Sequence, residues 1–397
     1  MYYKCTACKK IENMPPKPVW LCSCGKPLSV YYGWEEKQRD VSIDTADESL
    51  WRYGNVLPEE SVINKVSLGE GWTPLFPIGN NVYIKDETVN PTGSFKDRGM
   101  SLAITMAKVQ GVETICLPSA GNAGISAAAY CREAGIECHV FLPETIPEPF
   151  KKETDHYNAN LMLSGQTISD AAKEMLDNKK NDWFDISTLK EPFRVEGKKT
   201  LGYEIAEQLG WKTPDNVVVP VAGSSLITKI WKAFHEFEML GLVDKVQSKI
   251  FAAQATGCCP VTTAIKNGSE NITPVKPNTI AKSIAIGNPA DGYYGIKTAN
   301  TSGGYGEDIS DDEIVESMKL LAETEGIFTE TAGGVTVGVT KKLVEQGRIK
   351  PDETTVICIT GNGLKTQEAL TDHFEAPAVI EPKVNSFEEV FENSLTV

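Results

Sequence analysis

Apolar runs that end in glycine-containing turns recur along this 397-residue chain, and helix-like segments follow them. Residues 114–119 lead into the turn Ser-Ala-Gly-Asn-Ala-Gly and then into an alanine-rich segment at 123–134. Residues 217–223 form a second apolar run, and 355–360 form a third that ends in Gly-Asn-Gly. Strands that alternate with helices predict parallel sheets with helices on both faces. We therefore predict an α/β fold.

The rest of the chain extends this pattern. It predicts further strands and helices at 138–143, 249–257, 169–179 and 231–240. Ser310 and Glu313 form a capping-box pattern, which predicts the start of a helix that ends at Gly326. No internal repeat interrupts the alternation, so we expect one large α/β unit or a few of them.

Charge and hydropathy exclude two classes of partner. With a net charge of −15 and a pI of about 4.9, the surface repels nucleic-acid phosphates and anionic lipids. The sequence has no apolar stretch long enough to span a membrane and no signal-peptide pattern at its start. Several of the ten cysteines sit in apolar runs, as buried free thiols do. We expect a protein of the reducing cytoplasm that binds neither nucleic acid nor membrane.

The first 45 residues differ from the rest because they carry two close cysteine pairs. Cys5 and Cys8 form a CxxC pair, Cys22 and Cys24 form a CxC pair, and a polar, proline-rich stretch separates them. Four thiolates on two tight turns can close a tetrahedron around zinc. The alternative is a small hairpin that keeps the thiols and holds no ion. Both interpretations favour a structural role over a catalytic one.

Four polar segments follow predicted strands, at the position where open α/β sheets bind ligands. They are residues 90–99, 119–124, 223–225 and 360–365. In the first, Lys96 follows a Pro-Thr-Gly-Ser turn where a helix begins, and the positive helix end favours its neutral amine. Such a lysine suits Schiff-base chemistry, although a lone lysine in a Lys-Asp-Arg run is more often a solvated surface residue. The second and third segments offer free helix N–H groups to an anion.

Several runs in the chain resemble the threonine synthase family of pyridoxal-phosphate enzymes, which is related to the tryptophan synthase β subunit. The resemblance extends from the cysteine segment to about Lys365. It rests on residues 69–75, 90–99, 193–200, 279–281, 286–290 and 360–365.

The resemblance implies a fold of two open, mostly parallel α/β domains with pyridoxal phosphate between them, beside a small N-terminal Cys-rich hairpin. It divides the chain into a ribbon-like segment (1–45), a large domain (46–99 and 196–375), a small inserted domain (100–195) and a tail (376–397). A homodimer is implied as well.

The resemblance also implies roles for individual residues. Lys96 would form the internal aldimine, Asn122 would bond the phenolic oxygen of the cofactor, and Thr360 would face the pyridine nitrogen. The cofactor phosphate would be wrapped by Gly223, Ser224, Ser225, Leu226 and Ile227. The substrate would meet Ser119, Ala120, Ala123, Arg194, Lys199 and Gly333, with Arg194 and Lys199 at its acidic leaving group. A surface salt bridge of Arg194 to a nearby glutamate is the alternative.

The implied reaction converts O-phospho-L-homoserine and water to L-threonine and phosphate by γ-elimination and β-hydration. Three hydroxyls that the family usually carries are missing, because alanines occupy positions 120 and 123 and a glycine occupies position 333. Thr188 and Asn362 also depart from the family pattern, and Lys190 or Lys198 would have to supply charge instead. Two alternatives therefore stay open. One is β/γ elimination or replacement on another anionic amino acid, such as phosphoserine or a sulfonate or phosphonate analogue. The other is a catalytically dead ligand-binding relative.

Overall fold

The computed structural model describes residues 1–13, 21–34, 41–373, 377 and 379. Nearly all of the predicted tail (376–397) and residues 14–20 of the cysteine segment lie outside this part. The described strands are β1 (Tyr2–Cys5), β2 (Ile11–Asn13), β3 (Leu28–Tyr31), β4 (Leu75–Pro77), β5 (Val82–Asp86), β6 (Thr114–Pro118), β7 (Glu137–Leu142), β8 (Asn160–Leu163), β9 (Phe184–Asp185), β10 (Asn216–Pro220), β11 (Lys249–Ala255), β12 (Gly306–Ile309) and β13 (Thr355–Ile359).

The helices alternate with these strands along most of the chain. They are α1 (Glu59–Ile63), α2 (Lys96–Val109), α3 (Asn122–Ala134), α4 (Glu148–His156), α5 (Ile168–Asn178), α6 (Pro192–Glu196), α7 (Lys199–Gln208), α8 (Ser225–Met239), α9 (Pro260–Lys266), α10 (Gly292–Thr301), α11 (Asp311–Glu325) and α12 (Thr331–Glu345). No helix in the described ranges is long and apolar enough to cross a membrane.

The larger sheet has six strands in the order β12-β11-β10-β13-β5-β4. All neighbours are parallel except β4 and β5. The central strands β10 and β13 are buried along their whole length, and their valine- and isoleucine-rich sequences suit a strand with helices on both faces. The predicted α/β fold with mostly parallel sheets is confirmed.

The smaller sheet is fully parallel, with the order β8-β7-β6-β9. Its own hydrophobic core forms between the sheet and helices α2 and α3, and includes Ile115, Leu117 and Val140. The sheet lies within residues 100–195, the range predicted for the small domain. The exact division of the chain into domains stays a prediction.

The N-terminal segment forms a three-stranded antiparallel sheet, β2-β1-β3, where the sequence suggested only a hairpin. Strand β1 has alternating burial, and its inward residues Tyr3 and Cys5 pack with Phe193 on α6. The Tyr3 and Phe193 rings lie 6.0 Å apart. The cysteine segment is therefore packed against the helix that carries Arg194.

Helix α12 was missed because its sequence, Thr-Ala-Gly-Gly-Val-Thr-Val-Gly, is poor in helix-forming residues. Tertiary packing outweighs this low propensity. A Cβ atom at Gly338 would lie 2.5 Å from Ile309 Cδ1, and one at Gly334 would lie 2.6 Å from Met318 Cγ. The small residues let α12 approach α11 and the large sheet closely. The predicted capping box of α11 is confirmed, with Ser310 and Glu313 bonded reciprocally.

Candidate active site

A pocket opens where the carboxyl ends of strands from both parallel sheets meet. Pro118 at the end of β6 and Pro220 at the end of β10 line it. Most of the residues predicted from sequence as a site line it too: Lys96, Ser119, Ala120, Asn122, Ala123, Arg194, Gly223, Ser224, Ser225, Leu226 and Thr360. The structure thus brings together segments that are up to 264 residues apart in the chain.

Lys96 is the first residue of α2, and backbone bonds hold that helix start against the end of β13. The Phe95 N–H donates to the Thr360 carbonyl oxygen at 3.1 Å, and Ser94 forms a β-bridge with Gly361. The Lys96 amine lies 3.7 Å from the centre of the Phe95 ring. These backbone contacts therefore fix the position of Lys96 next to Thr360.

The Lys96 amine reaches the inner surface of the pocket but is surrounded by protein atoms. Burial lowers the pKa of Lys96 to about 7, since leaving bulk water disfavours the ammonium form. The nearby Glu330 carboxylate opposes this shift, while Arg194 and Lys365 add to it. At neutral pH a large share of Lys96 is therefore the free amine, which is the form that acts as a nucleophile or a base.

Asn122 opens α3 and reaches across the pocket to the large-sheet side. Its Nδ2 donates to Glu330 Oε2 at 2.9 Å, and its Oδ1 accepts from Lys365 Nζ at 3.0 Å. Glu330 is fixed in turn, because its N–H donates to the Gly361 carbonyl oxygen at 2.9 Å. Asn122 thus bridges the two halves of the pocket.

The turn between β10 and α8 forms an anion cradle. Ser224 has a φ of 70°, and Gly223 lies so close to Asp291 that a Cβ atom would be 2.6 Å from its Oδ1. The 15-residue helix α8 then directs free N–H groups at the pocket. The Ser224 hydroxyl has no hydrogen-bond partner in the part of the chain that the structure describes. Ile227 is the exception among the predicted cradle residues, since its side chain is buried in the large core.

Arg194 lies on the short helix α6, buried at the pocket wall. Glu191 caps this helix by accepting the Phe193 N–H at 3.1 Å and the Arg194 N–H at 2.5 Å. The guanidinium donates Nη1 to the Ile186 carbonyl oxygen, while its Nε has no partner among the described residues. Burial lowers the pKa of Arg194 to about 10, so it remains a cation at neutral pH. The surface salt bridge considered from sequence is not what holds it.

Lys199 does not line the pocket. Its ammonium is fully buried, 2.9 Å from Glu196 and 3.1 Å from Glu236, and it donates to the Val56 carbonyl oxygen at 2.9 Å. Its neighbour Lys198 faces the pocket instead and donates to the Ser225 hydroxyl at 2.7 Å. The prediction that Lys199 lies at the pocket is therefore wrong, and Lys198 is the lysine that lines it.

Gly333 is also outside the pocket, inside helix α12. A Cβ atom there would collide with the Thr329 side chain, so a hydroxyl at this position would not point at a ligand. Lys190, the other proposed source of charge, pairs with Asp185 at 2.7 Å. Of the two lysines suggested as replacements for the missing hydroxyls, only Lys198 is in place.

Ser119, Ala120 and Ala123 line the small-sheet side of the pocket. The Ser119 hydroxyl is already engaged, since it accepts the N–H groups of Gly121 at 3.1 Å and Gly124 at 2.9 Å. Its observed task is to cap the start of α3. Gly121 has a φ of 125°, and any Cβ atom there would strike Phe150, so the turn requires glycine.

Three charged groups near the pocket had no role assigned from sequence: Glu330, Asp291 and Lys365. Burial raises the pKa of Glu330, and it raises the pKa of Asp291 to about 7. Burial also holds the pKa of Lys198 well below its usual value. Lys365 lies in the glycine-containing run after β13, whereas Glu330 and Asp291 directly precede helices α12 and α10. An isolated acid before a helix is not distinguishable in sequence from an ordinary surface residue, so these two carried no clear signal in the sequence.

The four N-terminal cysteines come together in a single cluster. Cys5 and Cys24 have their sulfur atoms 3.5 Å apart, and Cys8 and Cys22 have theirs 3.7 Å apart. All four sulfur atoms lie within 4.8 Å of one another. Tetrahedral zinc with bonds of about 2.3 Å would place its sulfur ligands about 3.8 Å apart. The cluster has the size of such a site.

Comparison with known proteins identifies relatives over nearly the whole chain. A family model described as pyridoxal-phosphate dependent enzyme matches residues 66–361. The chain is 38% identical to a threonine synthase of Methanocaldococcus jannaschii over 98% of this chain and 99% of the relative. It is 36% identical to a threonine synthase of Methanosarcina acetivorans, with 98% of each chain covered.

Solved structures show the same fold at low sequence identity. An L-serine ammonia-lyase from Rhizomucor miehei superimposes with a TM-score of 0.66 at 19% identity, over 76% of this chain and 96% of that chain. Threonine deaminase isoform 2 from Solanum lycopersicum gives 0.62 at 21% identity, over 76% of this chain and 87% of that chain. These likenesses support the architecture alone.

Proposed function

The chain belongs to the threonine synthase family of pyridoxal-phosphate dependent enzymes, and on this premise we propose how its pocket makes L-threonine. The reaction converts O-phospho-L-homoserine and water to L-threonine and phosphate. The observation that carries the proposal is one pocket holding a partly buried lysine with a pKa of about 7, a helix-start anion cradle and a buried arginine.

The residues present fit pyridoxal phosphate. Lys96 would hold its aldehyde carbon, and the turn from Gly223 to Leu226 would hold its phosphate. Two features of the structure support this fit: the unpartnered Ser224 hydroxyl, and a turn so tight that position 223 has no room for a side chain. Thr360 would face the ring nitrogen, and Asn122 would donate to the ring oxygen. The bound cofactor supplies the electron sink that makes the substrate Cα and Cβ protons acidic.

Lys96 would then move the protons. Once the substrate amine has displaced it, the free amine would accept the proton from Cα and pass it to the substrate phosphate. It would then accept a proton from Cβ as phosphate leaves from Cγ, and it would return this proton to Cγ. Water would add its hydroxyl at Cβ, and Lys96 would carry the remaining proton of that water to Cα. A group with a pKa near 7 serves as base and acid in turn with little energetic loss in either direction. The Glu330 carboxylate favours the protonated form, which helps the base steps.

Arg194 and Lys198 would bind the phosphate of the substrate. A guanidinium with a free Nε offers a planar donor edge to phosphate oxygens. Burial is the main cause that lowers the pKa of Lys198, and the nearby charges of Lys96 and Arg194 lower it further. A phosphate dianion arriving there would favour the ammonium form. The two cations thus compensate for the absent hydroxyls at Ala120 and Ala123.

The test is to incubate the purified protein with pyridoxal phosphate and O-phospho-L-homoserine and to measure phosphate and amino-acid products. We expect threonine and phosphate in equal amounts. Phosphate with 2-oxobutanoate would mean that water addition fails and that the enzyme is a lyase of the same substrate. No turnover, with the cofactor bound to Lys96, would favour another anionic amino acid, and phosphoserine would be tested next.

We propose further that Cys5, Cys8, Cys22 and Cys24 bind one structural zinc ion. Their sulfur spacing supports this, and packing of the sheet on Phe193 gives the ion a structural task. Metal analysis of protein purified without chelators should find about one zinc per chain. Cys24→Ser should lose it, whereas Cys259→Ser, at the only other partly accessible cysteine, should keep it. A metal-free protein with full thermal stability would contradict the proposal.

The remaining expectations concern the setting of the enzyme. The ten cysteines, all of them within the described residues, form no disulfide, which supports a reducing cytoplasm. The homodimer rests on family likeness, and sedimentation of the purified chain tests it directly.

A further inference from the structure

Lys365 is a buried lysine that the reaction as described does not use. It lies in the last glycine-containing run, only 6% exposed. Its ammonium donates to the Thr92 carbonyl oxygen and, at 3.0 Å, to Asn122 Oδ1. The nearest carboxylate, Glu153, is 3.9 Å away, at the outer limit of an ion pair. Burying an ammonium group without a close carboxylate costs free energy. The contacts of Lys365 with two neutral oxygens therefore call for an explanation.

The amide of Asn122 lies between two groups of opposite character. Lys365 touches its oxygen, and Glu330 accepts from its nitrogen at 2.9 Å. An ammonium has only donors and a carboxylate has only acceptors, so the chemistry permits one orientation of the amide. A flipped amide would place N–H against ammonium and C=O against carboxylate. The second N–H of Asn122 then has no partner among the described residues, and Asn122 lines the pocket.

We propose that Lys365 is a positioning residue, which locks the Asn122 amide so that its free N–H is always presented to an acceptor oxygen on the ring of the bound cofactor. This inference rests on the role proposed for Asn122. It adds that Lys365, more than 240 residues from Asn122 in the chain, decides whether the amide presents its N–H or its oxygen to the cofactor ring. Gly93 follows Thr92, whose carbonyl oxygen accepts from Lys365, and its φ of 64° favours glycine in this turn.

The experiment is a double-mutant cycle on cofactor affinity. Pyridoxal phosphate is titrated into cofactor-free protein, and its dissociation constant is measured from the visible absorbance. The proteins are the wild type, Lys365→Met, Asn122→Ala and the double variant. Lys249→Met, which removes a lysine paired with Glu353 at 2.8 Å and outside the pocket, is the matched control.

We expect Lys365→Met to weaken cofactor binding by about tenfold or more, because a charge-assisted bond is lost and the amide is free to flip. In the Asn122→Ala background the same change should have little further effect. Each variant is checked by its melting temperature, and Lys365→Gln replaces Lys365→Met if the latter does not fold.

Two results would overturn the inference. One is wild-type affinity in Lys365→Met. The other is an equal loss with and without Asn122, since Lys365 would then act by another route. If the wild-type protein does not bind the cofactor, the proposed function is wrong. This result differs from both results that would contradict the role of Lys365 alone.

Discussion

The two walls of the pocket differ in how they are built. The proposed cofactor wall (Lys96, Gly223 to Leu226 and Thr360) consists of strand ends and helix starts, where backbone N–H groups are free to donate. The proposed substrate wall (Ser119, Ala120, Ala123, Thr188 and Arg194) depends on which side chains reach the cavity. A backbone cradle leaves a local signature of glycine and serine. A side-chain wall can exchange its donors for others, and here Arg194 and Lys198 line the cavity while alanines occupy positions 120 and 123, where the family pattern led us to expect hydroxyls.

The strongest test of the cofactor wall is Lys96→Ala. We expect threonine formation to fall by at least about a thousandfold, because covalent attachment and proton transfer are lost together. The visible absorbance of the lysine-bound cofactor should vanish as well. Lys249→Ala is the control. A cofactor adduct that borohydride still reduces onto another lysine would contradict the assignment.

The strongest test of the substrate wall is Arg194→Gln. We expect kcat/KM for O-phospho-L-homoserine to fall by about 10- to 100-fold, the range for a lost charged hydrogen bond. Cofactor affinity should stay unchanged, which separates the two walls. Arg132→Gln, at an exposed arginine on α3, is the control. If Lys198→Met lowers kcat/KM and Arg194→Gln does not, Lys198 alone binds the phosphate.

The pH dependence of cofactor capture tests the pKa of Lys96. Because burial lowers its pKa to about 7, the amine is protonated below this pH and free above it. The rate at which cofactor-free protein captures pyridoxal phosphate should rise about tenfold per pH unit below 7 and level off above 7. Stopped-flow absorbance measures this rate. A rise that continues to pH 10 would mean that Lys96 has an ordinary amine pKa.

The smallest expected effect separates packing from chemistry at Gly333. A Cβ atom there strikes Thr329, so Gly333→Ala should destabilise the fold by about 1–3 kcal/mol and leave threonine as the product. Gly79→Ala, where a Cβ atom meets nothing within 4 Å, is the control for denaturant unfolding. A change of product from threonine to 2-oxobutanoate, or the reverse, would restore a role for this position in water addition.

Local patterns predicted the α/β alternation and five of the described strands, β6, β7, β10, β11 and β13. The runs at 114–119, 217–223 and 355–360 became the buried strands β6, β10 and β13, because long apolar runs flanked by glycine have few other stable forms. The helix at Ser310 began where its capping box predicted. Helix α12 and several strands of the two large sheets, among them β4, β5, β8 and β12, were not predicted, since contacts with other elements decide them.

The sequence by itself determined the α/β alternation, the strand-end position of the site and the lysine that begins α2, because each follows from neighbouring residues. Only the tertiary structure decided between Lys198 and Lys199, which are adjacent in sequence but point about 100° apart around a helix. It alone showed that Gly333 packs against Thr329 and that Lys365 and Glu330 hold Asn122 from opposite sides. The two contacts of Asn122 join residues more than 200 positions apart, so they depend on how whole elements pack.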